Sequence, residues 1–204
     1  MFITFEGIDG SGKSSQALLL QERLKERNHA THLTREPGGS DGAEAIRHLL
    51  VTGDQTRWSP ETEILLFTAA RRDHVEKTVR PALKRNEVVI CDRYADSTRV
   101  YQGATRGDLR NTVDLLHREM IGLEPDLTLV IDVDPEIALT RGLARQSGED
   151  RFEDFGLEFQ KKLRAGFLSL ASEAAERVHL IDGDGSLEAV AARVWTLVEA
   201  RIYG

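Results

Sequence analysis

The chain has 204 residues, of which 40% are hydrophobic and 30% are charged, and its formal net charge is −7. This length and composition are typical of one globular domain and exclude collagen-like, low-complexity and disordered chains. The acidic balance argues against binding to long nucleic acid, which requires a basic face.

Short apolar runs alternate with helical patterns along the chain, which predicts an α/β fold with a parallel sheet wrapped by helices. The predicted strands are residues 2–5, about 30–34, 88–91, 127–131 and 178–181. The third and fourth are apolar on both faces, so we expect them inside the sheet. The fifth is expected near an edge.

Helix signals lie between the predicted strands. One helix is predicted from about residue 14 to 27, and another over 186–201 from its apolar spacing. The starts 59–61 (SPE) and 134–136 (DPE) each pair a capping side chain with proline at the first helical position. The stretches 39–84 and 95–122 are also predicted to be helical, whereas the polar stretch 142–150 is a candidate mobile loop.

Residues 7–14 (GIDGSGKS) match G-x-x-x-x-G-K-[ST] at every required position, between a predicted strand and a predicted helix. Glycines let successive N–H groups turn inward around a phosphate, and the helix N-terminus adds its dipole. Lys13 is expected to bridge the β- and γ-phosphates, and the Ser14 hydroxyl to reach Mg²⁺. The motif predicts binding of a nucleoside triphosphate but does not choose among switches, motors and kinases.

Other features favour a small-molecule phosphotransferase. A guanine-reading N-K-x-D stretch is absent, and D-x-x-G at 182–185 comes too late for a γ-phosphate switch and is interpreted as a surface turn. The segment 92–94 directly follows a predicted inner strand, so Arg93 is expected in the same crevice as the phosphate loop. Most of the 27 basic residues are arginine, whose planar fork suits phosphate. Four side chains would share a helix face suited to a nucleoside: Ser97, Thr98, Tyr101 and Gln102.

The sequence resembles the thymidylate kinase family nearly end to end. The segments that carry the resemblance are FEGIDGSGKSSQ at 5–16, TREPGG at 34–39, LFTAAR at 66–71, DRYADSTRVYQG at 92–103, DVDPE at 132–136 and DRFE at 150–153. The resemblance implies a P-loop nucleoside monophosphate kinase fold over residues 1–204, with a five-stranded parallel sheet and a mobile lid at about 142–152. It also implies transfer of the γ-phosphoryl group of ATP to dTMP, giving dTDP and ADP, with Mg²⁺ as cofactor.

The resemblance assigns site residues position by position. Catalytic roles go to Lys13, Arg93, Arg151 and Asp9. Contacts with ATP go to Gly7, Asp9, Gly10, Ser11, Gly12, Lys13, Ser14, Ser15, Arg141 and Arg145. Contacts with dTMP go to Arg35, Glu36, Pro37, Arg47, Phe67, Arg71, Arg93, Ser97, Thr98, Tyr101 and Gln102. Ser14 would hold Mg²⁺, with Asp9 or Asp92 reaching it through water.

Within that set, the resemblance implies that Phe67 stacks on thymine, that Arg71 and Thr98 bind the base, and that Tyr101 crowds the 2′ position. By periodicity alone, Phe67 would be a core residue, and His74, beside the charged residues 71–73, is expected on the helix surface. Ala70 stands where relatives often have an acid, which puts a supporting salt bridge to the adjacent arginine in doubt.

Members of the family carry a basic residue either inside the phosphate loop or on the lid. Positions 8–11 of this chain have no basic residue, whereas Arg141, Arg145 and Arg151 lie in or near the lid stretch, so the second arrangement fits.

Two alternatives stay open, a related kinase with another acceptor and a nucleotide-binding module without catalysis. The single cysteine, Cys91, excludes an intrachain disulfide. Without a signal pattern at the start or an apolar run of about 18 residues, a cytoplasmic protein with no membrane contact is expected. The apolar helix around 64–79 is expected to bury against a second copy in a homodimer.

Overall fold

The computed structural model describes residues 1–54, 56–104, 107–143 and 156–204. Within them, five parallel strands form one sheet in the order β2-β3-β1-β4-β5. The strands are β1 (Phe2–Glu6), β2 (Thr31–Arg35), β3 (Val88–Asp92), β4 (Leu127–Asp132) and β5 (Val178–Asp182). All five predicted strands and the α/β fold are confirmed, and β5 lies at an edge as expected.

Strand β1 occupies the middle of the sheet, between β3 and β4. Phe5 is level with Asp92 on one side and with Leu129 on the other. Because the strands are parallel, the loops that follow β1 and β3 leave the sheet at the same edge, which is where ligands bind in open α/β sheets.

Helices connect the strands and cover both faces of the sheet. They are α1 (Lys13–Glu26), α2 (Asp41–Val51), α3 (Pro60–His74), α4 (Arg80–Lys84), α5 (Ala95–Thr98), α6 (Arg110–Leu116), α7 (Pro135–Leu143), α8 (Gly156–Glu173) and α9 (Leu187–Tyr203). Wider, π-helical turns continue α3, α5 and α6 at Val75–Val79, Arg99–Ala104 and His117–Ile121. The predicted helical character of 39–84 and 95–122 is confirmed for most of their described residues, while 52–54, 56–59 and 107–109 are loop.

The predicted helix starts are capped by the expected side chains. The Ser59 hydroxyl accepts a hydrogen bond from the Thr62 backbone N–H at 3.2 Å, just before Pro60 begins α3. Asp134 Oδ1 accepts from the Glu136 backbone N–H at 2.9 Å at the start of α7. Each cap satisfies a backbone donor that the helix itself leaves unpaired.

The core has two parts because alternate residues of each strand face opposite sides of the sheet. Ile3 and Phe5 belong to the larger cluster, which includes residues of α1, α8 and α9. Phe2 and the buried Cys91 belong to the smaller cluster, which includes residues of α4 and the preceding π turn.

The described helices are all too short or too polar to span a lipid bilayer. Most of the predicted mobile loop at 142–150 and of the predicted lid at 142–152 lies outside the described residues.

Candidate active site at the carboxyl edge of the sheet

The phosphate loop joins β1 to α1 and packs closely against α7. Gly10 has φ of 81°, and a Cβ atom placed on it would lie 1.9 Å from the Ala138 carbonyl oxygen. Only glycine fits there, since both the backbone angle and the close approach exclude a side chain. The loop therefore lies directly beside the helix that carries Arg141.

Lys13 is folded into the loop that it follows. Its Nζ donates to the Ile8 carbonyl oxygen at 2.6 Å and lies 3.5 Å from Ser11 Oγ. Burial, together with the charge of Arg93, lowers the pKa of Lys13 to about 8. The ammonium group is therefore held where successive loop residues surround it.

Arg93 links the phosphate loop to the acceptor side of the site. Its backbone is left-handed, with φ of 68°, and its N–H donates to the Phe5 carbonyl oxygen at 2.9 Å. The guanidinium donates to the Gly7 carbonyl oxygen at 3.1 Å, to Asp9 Oδ1 at 2.5 Å and to Ser97 Oγ at 2.9 Å. The expectation that Arg93 lies in the crevice of the phosphate loop is confirmed.

Asp9 and Tyr101 complete this cluster. The Tyr101 hydroxyl donates to Asp9 Oδ2 at 2.7 Å and lies 3.1 Å from a guanidinium nitrogen of Arg93. Burial alone would raise the pKa of Asp9, but the charges of Arg93 and Lys13 bring it below its usual value. Burial raises the pKa of Tyr101 well above its usual value, so the hydroxyl keeps its proton and can donate.

A cleft of about 270 Å³ opens beside the cluster. Every residue that the family resemblance assigns to dTMP lies on its walls: Arg35, Glu36, Pro37, Arg47, Phe67, Arg71, Arg93, Ser97, Thr98, Tyr101 and Gln102. Phe67 is half-buried there, so the expectation from periodicity that it is a core residue is wrong. Asp9, Lys13, Ser14 and Asp92 also line this cleft.

Arg71 is held on three sides at one end of the cleft. Its Nε donates to Glu36 Oε2 at 2.7 Å, its Nη2 donates to Thr98 Oγ1 at 3.0 Å, and its guanidinium carbon lies 5.1 Å from the centre of the Tyr94 ring. Among the described residues, none accepts a hydrogen bond from its Nη1. The acid that supports Arg71 is therefore Glu36, which follows β2, and not the residue before it in α3. The Glu36–Pro37 peptide bond is cis.

Gln102 presents a buried acceptor to the same cleft. Its Nε2 donates to Glu63 Oε2 at 3.0 Å. Its Oε1 is buried and has no hydrogen-bond partner in the part of the chain that the structure describes. Because Glu63 uses the amide nitrogen, the amide oxygen is left for a ligand that donates a hydrogen bond.

Two further arginines assigned to dTMP lie elsewhere on the walls. Arg47 donates to the Pro37 carbonyl oxygen at 2.6 Å. Arg35 is 55% exposed and donates to both carboxylate oxygens of Glu44 at 3.2 Å. Both bonds come from Nη2, so Glu44 neutralises part of the charge of Arg35 while Nη1 and Nε stay available to an anion.

Ser14 and Asp92 provide oxygen atoms suited to Mg²⁺. The Ser14 hydroxyl donates to Asp92 Oδ2, while Asp92 Oδ1 is buried and lacks a hydrogen-bond partner among the described residues. Mg²⁺ prefers such hard oxygen ligands and keeps several waters and phosphate oxygens in its shell. The residues present thus fit the ion that the family resemblance implies.

A second cleft, of about 380 Å³, borders the same loop. Five residues assigned to ATP line it: Gly10, Ser11, Gly12, Ser15 and Arg141. Arg145 and Arg151 lie outside the described residues. Gly183 and Gly185 also line this cleft. The segment 182–185, interpreted from sequence as a surface turn, is the end of β5 and the loop after it, and it also forms a wall of this cleft.

Glu6, at the end of β1, is a buried site residue that sequence reasoning missed. Its Oε1 accepts from the backbone N–H groups of Tyr94 and Ser97 at 2.7 and 3.2 Å, and its Oε2 accepts from Ser97 Oγ at 2.5 Å. Burial, reinforced by the charge of Asp96, raises the pKa of Glu6 to about 7. An acid that ends an otherwise apolar strand just before a phosphate loop is the signal that could have identified it.

His74, expected on the helix surface, is fully buried, so that prediction is wrong. Glu63, Phe67 and Arg71 are spaced by four residues in α3, and His74 follows three residues later. This spacing places all four on one face of the helix, and it is a signal present in the sequence.

Comparison with known proteins agrees with the geometry. The sequence profile of the thymidylate kinase family matches residues 5–194. The chain is 62% identical over 202 residues to a thymidylate kinase of Jannaschia sp. (strain CCS1), covering 99% of this chain and 97% of that protein. It is 67% identical over 192 residues to a thymidylate kinase of Dinoroseobacter shibae, covering 94% of this chain and 93% of that protein. The crystal structure of thymidylate kinase from Ehrlichia chaffeensis matches with a TM-score of 0.78 and 37% identity, covering 98% of each chain. The chain therefore belongs to the thymidylate kinase family.

Proposed function

We propose that this chain transfers the γ-phosphoryl group of ATP to dTMP and releases dTDP and ADP. The observation that carries the proposal is the position of Arg93, which contacts Gly7 and Asp9 of the phosphate loop and Ser97 of the acceptor cleft. Two clefts that border one phosphate loop suit a reaction in which two bound nucleotides must meet in line. Membership of the thymidylate kinase family supports the same reaction.

The acceptor nucleotide occupies the cleft of about 270 Å³. Phe67 stacks on the base, while Arg71 and Thr98 bind its polar edge. Tyr101, held by Asp9 and Arg93, crowds the 2′ position of the sugar. Arg35, Arg47 and Arg93 bind the acceptor phosphate, with Ser97, Gln102, Glu36 and Pro37 completing the walls.

ATP occupies the phosphate loop and the second cleft. The loop amides surround its phosphates, and Lys13 exchanges the Ile8 carbonyl oxygen for β- and γ-phosphate oxygens. Arg141 lies on the wall of the second cleft, near the phosphates. A lid at about 142–152 that supplies Arg145 and Arg151 belongs to the same proposal, as does a single kinase domain over residues 1–204.

The reaction requires charge neutralisation more than proton transfer. The attacking phosphate oxygen of dTMP is already anionic, so no base has to remove a proton. Lys13 and Arg93 stabilise the charge that spreads over the transferred group. Ser14 and Asp92, with Asp9 nearby, would hold Mg²⁺, which supplies further positive charge when bound.

A homodimer and a cytoplasmic location are further parts of the proposal. Leu65 on α3 is 59% exposed, and Met120 is 50% exposed. Arg72, two turns beyond Leu65, donates to the Met120 carbonyl oxygen at 2.8 Å, so the two apolar side chains belong to one region of the surface. A second copy of the chain would cover them.

A panel of nucleoside monophosphates, assayed for ADP release with ATP as donor, tests the function. We expect dTMP to be the preferred acceptor, and Lys13→Ala to lower kcat by about 100-fold or more because a transition-state cation is lost. Lys25→Ala, on the exposed side of α1, is the matched control and should retain normal turnover. Preference for another nucleotide would instead indicate a related kinase. Absence of turnover with every nucleotide would indicate a nucleotide-binding module without catalysis.

A further inference from the structure

A chain of polar side chains, buried except for the half-buried Thr34, connects β2 to the base end of the acceptor cleft. Thr34 Oγ1 lies 2.8 Å from His74 Nε2, and His74 Nδ1 lies 2.9 Å from Glu36 Oε1. Glu36 Oε2 then accepts from Arg71 Nε at 2.7 Å, and Arg71 Nη2 donates to Thr98 Oγ1 at 3.0 Å. His74 is thus two hydrogen bonds away from the arginine that faces the cleft.

The direction of each hydrogen bond follows from the charge of Glu36. Burial would raise the pKa of this carboxyl, but Arg71 and His74 together hold it below its usual value. An ionised carboxylate can only accept, so His74 Nδ1 must carry a hydrogen and donate it. Glu36 therefore has one oxygen fixed by His74 and the other fixed to Arg71.

The His74 ring is confined by the loop after β2. A Cβ atom on Gly39 would lie 2.6 Å from the ring atoms Cδ2 and Nε2, so the glycine lets the loop close over the imidazole. Thr78 Oγ1, one turn beyond His74, donates to the Gly39 carbonyl oxygen at 2.6 Å and ties the loop to the helix. With the ring fixed in this way, Oε1 of Glu36 is fixed as well.

Two polar atoms of the cleft are left for the ligand by this arrangement. Arg71 uses Nε and Nη2 on protein acceptors, which leaves Nη1 as a donor. Gln102 Oε1 is a buried acceptor without a partner among the described residues. A donor and an acceptor in one cleft match the 4-oxo and N3–H groups of thymine, whereas cytosine presents a 4-amino group and an unprotonated N3.

We propose that His74 is a positioning residue for base recognition, which orients Arg71 toward the 4-oxo group of the acceptor through Glu36. The proposal rests on the proposed function, because dTMP is the nucleotide that brings this oxygen to the cleft. His74 itself does not touch the ligand. It fixes a buried carboxylate that would otherwise be free to turn away from Arg71.

Two substitutions of His74 distinguish its contact with Glu36 from its contact with Thr34. The amide nitrogen of asparagine can take the place of Nδ1 and reach Glu36, whereas that of glutamine takes the place of Nε2 and reaches only Thr34. We expect His74→Gln to raise KM for dTMP by about 10-fold with kcat nearly unchanged, because binding is lost equally in the ground state and transition state. His74→Asn should stay within about 3-fold of the unmodified chain.

The ratio of kcat/KM for dTMP to that for dCMP distinguishes positioning from general damage. In His74→Gln this ratio should fall by about 10-fold, because dCMP never had the contact that is lost. His32→Asn is the matched control, since it removes a half-exposed imidazole from the same strand as Thr34, where its Nδ1 lies 3.9 Å from Glu87 Oε2. It should change neither KM nor the ratio.

Equal losses for the two acceptors, or equal effects of His74→Gln and His74→Asn, would overturn the proposal. If the His74 variants do not fold, Thr34→Val decides, because it removes only the hydroxyl that supports the ring and should lower the ratio by about 3-fold. An unchanged ratio in that folded variant contradicts the role of His74.

Failure of the proposed function has a different signature, namely no turnover of dTMP by the unmodified chain. Calorimetric affinities of the same variants for dTMP and dCMP then decide the role of His74. An affinity ratio that is the same in His74→Gln and in the unmodified chain overturns it.

Discussion

Lys13 is the residue whose charge state should be visible in the pH dependence of the reaction. Its pKa is lowered to about 8 by burial and by Arg93. Below this pH the ammonium group is charged and attracts the triphosphate, and above it the charge is lost. We therefore expect kcat/KM for ATP to fall as the pH rises through about 8, since this parameter reports groups of the free enzyme.

The same titration should move when ATP is bound. Phosphate oxygens stabilise the ammonium form, so kcat at saturating ATP should begin to fall only at a higher pH than kcat/KM does. Initial rates between about pH 6 and 10, at low and at saturating ATP, measure the pH dependence of kcat/KM and of kcat. A kcat/KM that stays constant up to about pH 10, where an exposed lysine titrates, would contradict the buried environment of Lys13.

Individual site residues could be predicted where the signal is local. Arg93 directly follows a strand, and the strand order brings it to the phosphate loop. Its left-handed backbone could not be predicted, because non-glycine residues rarely adopt it and a local cost of about 1–3 kcal/mol has to be offset by surrounding contacts. The pairing of Arg71 with Glu36 joins residues 35 positions apart. It depends on where the loop after β2 lies relative to α3, which no local pattern contains.

At the scale of elements, α5 is a single helical turn that tertiary contacts hold in place. It has four residues, and a helix of that length is unstable without outside contacts. Glu6 binds the backbone at its start, while Asp96 is fully buried and accepts from Arg99 at 2.8 Å and from Arg177 at 2.6 Å. These acids fix the segment that carries Ser97 and Thr98 into the cleft.

Asp96→Asn should therefore lower both stability and acceptor binding. Loss of the carboxylate leaves Arg177 without its buried partner, which costs about 3 kcal/mol or more. Urea unfolding measures this loss, and KM for dTMP should rise because α5 carries Thr98.

Burial would raise the pKa of Asp96, but Arg177 and Arg99 hold it below its usual value. Its contribution to stability is thus present above the usual carboxyl range and lost as the pH falls through the lowered pKa.

Asp114→Asn is the matched control, because this carboxylate also binds Arg99 but is 38% exposed. Exposed ion pairs contribute about 1 kcal/mol or less. Equal destabilisation by the two substitutions would mean that burial of Asp96 is not what makes it important.

The elements themselves were largely predictable because their signals are short-range. Apolar runs identified the strands, and Ser59 and Asp134 marked helix starts. The order of the strands in the sheet was harder to predict. An apolar run predicts that a strand lies inside the sheet, but it does not show that β1, and not β3, occupies the middle. The π-helical turns that continue α3, α5 and α6 also had no sequence signal.

For the whole molecule, the exposed apolar region around Leu65 predicts the oligomeric state. We expect a dimer in sedimentation at micromolar concentration, and Leu65→Glu should dissociate it because a charge would be buried at the interface. Leu18→Glu is the matched control, since Leu18 is 46% exposed on α1 and should tolerate the change. A monomeric unmodified chain, or equal dissociation by both variants, would contradict this assignment of the interface.

The location of the site was predictable at this scale, whereas one wall of the second cleft was not. A phosphate loop followed by Arg93 after another strand places the site at the carboxyl edge. Gly183 and Gly185 reach the same edge only because β5 pairs with β4, at the end of a five-strand order that depends on long-range contacts.

The close approach of Gly10 to α7 also restricts how this chain can evolve. With a Cβ atom only 1.9 Å from the Ala138 carbonyl oxygen, an arginine gained at this position has no space until α7 shifts. A single codon change at position 10 therefore cannot place an arginine in this phosphate loop without displacing α7.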